Sequence, residues 1–201
     1  VIPAGEHYRV MPGDCLESMR SLPDACVQMG CTSPPCDDLR TYGQSDTPSW
    51  DFEAIARELY RVLCPGGVLC WNVGDSVVDG SETLTSAKQK IFFRKCGFLI
   101  HDTMIYEKSN FGHPEKCRYH QLFEYIFVLS KGRPRAFNPL KDKPNAWAGT
   151  GPFGVSTMRQ RDGSQKPKTR NIIAEYGMRG NVWRGNTRGQ KRTTMCSWCA
   201  R

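Results

Sequence analysis

No part of the sequence approaches the ~20 consecutive apolar residues of a membrane-spanning helix, so no membrane segment is expected. A secretory leader pattern is also missing, and the expected location is the cytoplasm. Histidine is scarce: His7, His101, His113 and His120 lie far apart without ligand spacing, so no metal is assigned. Acidic residues nearly vanish after Ser130. Residues 131–201 carry 3 Asp and Glu against 16 Lys and Arg, whereas residues 1–130 carry 17 against 12. The net charge of +8 therefore belongs to the tail, where Trp147, Phe153, Tyr176, Trp183 and Trp198 stand among Gly, Asn, Ser and Thr. That mixture suits phosphate and groove contacts as well as it suits a solvated extension.

Cysteine is plentiful but lacks a scaffold pattern. The ten thiols fall at irregular spacing through apolar runs, which points to reduced, buried side chains rather than disulfides. Only Cys196-Ser-Trp-Cys199 has metal or redox spacing, and it has no second pair. Gly149-Thr-Gly-Pro-Phe-Gly154 spells a phosphate-loop pattern, but no strand precedes it and a proline interrupts it, so it reads as a loop.

What is present is an alternation of short apolar runs with helical patterns, the signature of an α/β domain with a largely parallel sheet over residues 1–130. Strands are expected at Tyr8 to Met11, Ala25 to Thr32, Val68 to Val73, Phe98 to Tyr106 and Leu122 to Leu129. Leu16, Met19 and Leu22 mark a first helix. A second should begin near Ser49 or Asp51, carry Phe52, Ile55, Ala56, Leu59, Val62 and Leu63 on one stripe, and stop at Pro65-Gly66-Gly67. A third, capped by Ser81, should run through Ala87, Ile91 and Phe92 to Gly97. Residues 131–201, interrupted by Pro134, Pro139, Pro144, Pro152 and Pro167, read as a basic, loop-rich extension. The length alone suits one core that buries roughly 70% of the unfolded surface.

Ligands of an open α/β sheet bind at the carboxyl ends of its strands, where Thr32-Ser33-Pro34-Pro35-Cys36 and Asn72-Val73-Gly74-Asp75 fall. Two prolines after a strand make a rigid elbow with carbonyls aimed in set directions. An exocyclic base amine is a poor nucleophile because its lone pair is delocalised into the ring. Acceptors that hold its two hydrogens localise that pair, and the Ser33 hydroxyl and Pro34 carbonyl are suited to this. Taken alone, the same four residues also fit an ordinary strand-ending turn, and Asp14 fits a helix N-cap.

Five ordered segments carry a resemblance: Gly13-Asp14-Cys15-Leu16-Glu17, Leu22-Pro23-Asp24, Thr32-Ser33-Pro34-Pro35, Arg61 to Gly67, and Glu124 to Lys131. Together, over roughly residues 6 to 140, the chain resembles the bacterial and phage site-specific DNA amino-methyltransferases, in the permuted order with the catalytic half first. The resemblance implies a Rossmann-like methyltransferase sheet, S-adenosylmethionine as cofactor, and adenine N6 or cytosine N4 in double-stranded DNA as target, with the base flipped out. It assigns Ser33, Pro34, Pro35 and Cys36 to the catalytic loop. Asp14, Thr32 and Ser33 fall at the cofactor, and target recognition falls after Ser130. A restriction endonuclease is the implied genetic partner.

Three positions depart from the family pattern. Cys36 stands where an aromatic residue normally stacks on the flipped base; either another aromatic such as Tyr42 or Trp71 compensates, or activity is weak. No strand with a Phe-x-Gly-x-Gly cofactor turn occurs before Arg201, so the chain is expected to be incomplete or divergent at its end. Phe123 replaces a frequent histidine before Glu124, whose carboxylate either faces the site or, in the favoured structural reading, pairs with a basic residue such as Arg118. Rival readings are a non-catalytic DNA-binding relative, an RNA amino-methyltransferase, and a cytosine-C5 enzyme using Cys36 as nucleophile. The last lacks the motif order that such enzymes show.

Overall fold

The computed structural model describes residues 8–34, 50–110, 116–151, 157–167 and 172–185. The chain forms two compact units, not one: residues 1–137 with 181–195 (and Arg201), and residues 138–180 with 196–200.

The first unit is built on a five-stranded sheet. Its elements in chain order are α1 (Cys15–Arg20), β1 (Val27–Thr32), α2 (Phe52–Val62), β2 (Leu63–Val73), the two-residue strands β3 (Val77–Val78) and β4 (Ser81–Glu82), α3 (Thr85–Cys96), β5 (Leu99–Lys108) and β6 (Phe123–Ser130). The second unit holds β7 (Lys143–Pro144), β8 (Thr157–Arg159), β9 (Gln165–Pro167) and β10 (Tyr176–Gly177), after which β11 (Val182–Gly185) rejoins the sheet. The strand order is β1-β2-β6-β5-β11. β1 is parallel to β2 and β11 to β5, while β6 runs antiparallel to both its neighbours. Four of the five strands thus share one direction, and β6 is the reversed member.

Alternation along the strands decides which residues meet α2 and α3. Leu69, Trp71 and Val73 of β2 and Phe127 and Leu129 of β6 share a core with Ile55 and Ala56 of α2 and with Phe93 and Phe98. The expected α2 stripe holds: Ile55, Ala56, Val62 and Leu63 are buried, and Phe52 and Leu59 pack against them. In α3 the stripe is different. Ala87 and Ile91 are exposed, and Thr85, Ser86, Gln89 and Phe93 are buried. Gln89 goes inside because its Oε1 accepts the indole N–H of Trp71 at 2.8 Å, which gives a buried donor its partner. Ser81 does not cap this helix, since it lies in the β3–β4 ribbon. Asp75 does so from the end of β2, accepting from the backbone N–H of Ser86 at 2.8 Å and from its hydroxyl.

Two further expectations are corrected. Tyr8 to Met11 makes a single bridge at Tyr8 and no strand. β2 begins at Leu63 rather than Val68, because Val27 pairs with Leu63 and Met29 with Val68, so that Pro65-Gly66-Gly67 bulges out between them. Gly66 has φ +80°, and a Cβ on Gly67 would sit 2.9 Å from the carbonyl oxygens of both Cys64 and Gln28. Only glycine lets β1 approach there. At the same end, Lys131 closes α2: its Nζ donates to the carbonyl of Tyr60 at 2.7 Å and lies 4.7 Å from the centre of that ring.

The thiols are less buried than the composition suggests. None of the seven described cysteines forms a disulfide, yet only Cys64 and Cys70 are buried, while Cys15, Cys26, Cys31 and Cys117 are exposed. Among the described residues no helix is long and apolar enough to cross a membrane.

Candidate functional site

The directions of the strands gather one end of the sheet from distant parts of the sequence. The carboxyl ends of β1, β2, β5 and β11 lie beside the amino end of β6. Ser33 and Pro34 leave β1 here, directly after Thr32, which registers with Trp71. Thr32 and Ser33 are exposed and Pro34 is half-buried. Ser33 thus lies exposed just beyond the last paired residue of an edge strand. Pro35, Cys36 and Tyr42 lie outside the described residues.

Beside this end stands a polar chain that runs across three strands. The Asn72 Nδ2 of β2 donates to Glu124 Oε2 of β6 at 3.0 Å, and the other carboxylate oxygen of Glu124 receives Lys108 Nζ of β5 at 3.2 Å. Glu124 is therefore paired, as expected, but with Lys108 instead of Arg118, which donates to the carbonyl of Gly80. The reason is register: Glu124 faces Tyr106 across the β5–β6 pair, which brings Lys108 within reach. Because the amide nitrogen of Asn72 is committed to Glu124, its orientation is fixed. Its Oδ1 is buried and makes no hydrogen bond, an acceptor waiting for a donor at the site end of the sheet.

Trp71 does not take the place of the missing aromatic. It is 1% exposed, its N–H is held by Gln89, and Trp50 stacks on it at 6.2 Å between ring centres. It is a core residue with no free face for a base. Asp75 is likewise engaged by Ser86 as the cap of α3. Asp14 caps α1, accepting from the backbone N–H groups of Leu16 and Glu17 at 2.8 and 3.1 Å. The carboxylate is exposed and retains lone pairs beyond those two bonds. Asn72 lies in the segment expected at the ligand end of the sheet, whereas Lys108 and the link of both residues to Glu124 were missed by sequence reasoning. Their signal exists only in strand register, which no local motif carries.

Comparison with known proteins agrees with this architecture. A DNA methylase family model, that of the N6 and N4 enzymes, matches residues 27–194. The orphan methyltransferase M.BamHII of Bacillus amyloliquefaciens is 43% identical over 171 residues, which cover 85% of this chain and 63% of that protein. The type II methyltransferase M.MjaI of Methanocaldococcus jannaschii is 35% identical over 46% of this chain and 33% of its own length. Among solved structures, the cytosine-N4-specific PvuII DNA methyltransferase superposes with a TM-score of 0.50 at 18% identity, over 61% of this chain and 49% of that one, and shares the fold. The chain spans about 63% of the length of M.BamHII. With the family's segments in order along one sheet and its model matched across most of the sequence, the chain belongs to the N6/N4 DNA methylase family.

Proposed function

We propose that this chain carries the catalytic half of an S-adenosylmethionine-dependent methyltransferase that modifies the exocyclic amine of adenine (N6) or cytosine (N4) in double-stranded DNA. The observation that carries the reading is the position of Ser33 and Pro34, exposed and half-buried respectively, at the carboxyl end of β1 in a chain of this family. When bound, S-adenosylmethionine supplies an electrophilic methyl group. The residues fit such a ligand in two respects: the sheet end offers an unfilled buried acceptor, Asn72 Oδ1, and the Asp14 carboxylate is open to solvent.

Ser33 and the Pro34 carbonyl accept the two hydrogens of the target amine, concentrating its lone pair toward the donor. The amine nitrogen held by Ser33 and Pro34 would receive the methyl group, the cofactor leaving as the neutral thioether, and the proton displaced from the amine would pass to solvent. Pro35 and Cys36 complete the loop in this proposal, and Thr32 and Asp14 help to seat the cofactor. The base is flipped out of the duplex to reach Ser33. We place the activity in the cytoplasm. A restriction endonuclease as genetic partner belongs to the same proposal.

The test is transfer of labelled methyl from S-adenosylmethionine to duplex DNA. The wild-type chain should label DNA, and Ser33→Ala should reduce transfer by roughly a hundredfold, in keeping with loss of one preorganised transition-state contact, while leaving DNA affinity within about twofold. Equal loss of both would remove Ser33 from the chemistry.

A further inference from the structure

The second unit contains a ribbon whose composition and exposure are unlike anything in the sheet. β8 and β9 pair antiparallel with Thr157 opposite Pro167, Met158 opposite Lys166 and Arg159 opposite Gln165. All six residues are exposed, so within the described residues neither face of the ribbon forms a core. A two-stranded ribbon of this kind gains little stability by itself. Its turn is nevertheless well fixed. The Gln160 N–H donates to the Ser164 carbonyl at 2.7 Å, and Asp162 accepts from the Ser164 N–H and hydroxyl at 3.0 and 2.6 Å. Asp162 is thereby turned to a structural purpose, with its carboxyl held below the usual carboxylate range by the Ser164 hydroxyl and N–H. Among the described residues, Arg159, Arg161 and Lys166 make no ion pair. Arg179, elsewhere in the unit, is engaged by Asp142.

Alternation divides the ribbon. Arg159 and Gln165 are cross-strand partners and share one face with Thr157, whose hydroxyl donates to Gln165 Oε1 at 2.8 Å. That bond fixes the amide and leaves its NH₂ group free to donate outward. Lys166 lies on the opposite face with Met158, and Arg161 lies in the turn. Arginine and glutamine side by side are the side chains that read guanine and adenine edges, and a two-stranded ribbon is narrow enough for the major groove of B-DNA.

Resting on the methyltransferase reading above, we infer that the β8–β9 ribbon enters the major groove of duplex DNA, with Arg159 and Gln165 turned to base edges and Arg161 and Lys166 on flanking phosphates. The ribbon is then a determinant of the recognised sequence, distinct from the Ser33 loop that performs the chemistry. The occupant is duplex DNA because unpaired cations and paired base-edge readers occur together, a combination that a protein surface does not require.

Two measurements on the full chain test this. In the first, binding of a mixed-sequence duplex is followed by fluorescence anisotropy across salt concentrations. Arg161→Ala with Lys166→Ala should flatten the slope of log affinity against log salt by about 2, roughly one for each lost phosphate contact, and the swaps Arg161→Lys and Lys166→Arg should restore it. In the second, duplexes with a randomised core are selected by binding. Arg159→Ala and Gln165→Ala should each erase the preference at a single base position while thermal unfolding stays as in the wild type. Unchanged slopes and unchanged selected sequences in variants that melt like the wild type would overturn the ribbon assignment alone. Failure of the wild-type chain to bind any duplex would overturn the function reading with it.

Discussion

Asn72 and Glu124 are joined by a 3.0 Å hydrogen bond from the amide of one to the carboxylate of the other, although 52 residues separate them in sequence. The bond fixes which end of the Asn72 amide points away from Glu124, and Lys108 fixes Glu124 in turn. Glu124→Gln should retain the acceptor for Asn72 and lose only the half-exposed ion pair, a small cost. Glu124→Ala should lose both and cost about 1 kcal/mol more, for an amide left without its partner. Urea unfolding of the two variants checks the difference; equal midpoints would mean that Asn72 finds another partner.

Gly67→Ala should destabilise the first unit by about 2–3 kcal/mol, because the new Cβ meets two backbone oxygens that cannot swing aside. Gly163→Ala makes a useful contrast: φ is +83° there, but no atom lies within 4 Å of the place a Cβ would take, so only the backbone strain of about 1 kcal/mol applies. Thermal melts of both variants should rank them in that order.

Trp71→Phe keeps the ring in the core but leaves the buried Gln89 amide without its donor. A loss of about 1–3 kcal/mol is expected, and Trp71→Phe combined with Gln89→Leu should recover part of it. Chemical denaturation of the single and double variants measures the coupling. Strict additivity would mean that the 2.8 Å bond contributes nothing.

In the second unit, the Arg179 guanidinium holds the Asp142 carboxyl below its ordinary range. A depressed folded-state value means that this contribution is fully present above the unfolded carboxylate pKa of about 4 and is lost as pH falls through the lower folded value. The carboxyl carbon of Asp142 followed by NMR should therefore titrate below that of an unpaired aspartate, and Arg179→Gln should return it to the ordinary range.

Much of the sheet was legible because its signals are local. The run from Phe123 to Ser130 and the stripe of α2 follow from apolar periodicity. The misreadings share a different cause. The α3 cap comes from Asp75, eleven residues before the bond it accepts, the bulge before Val68 depends on how closely β1 approaches, and the partner of Glu124 is chosen by register with β5. Four residues, Val182 to Gly185, are too few to show any period, yet they form an edge of the sheet.

That edge has a consequence during synthesis. Ile105 pairs with Val182, and the Ile105 N–H donates to the Asn181 carbonyl at 2.8 Å, so the outer side of β5 has no ladder until a much later stretch has left the ribosome. Throughout that interval β5 offers a bare row of amides and carbonyls to any neighbouring chain. A nascent chain stalled before Asn181 should be stickier than the finished one, in which the few residues of β11 hem the outer side of β5 from Ile105 to Lys108.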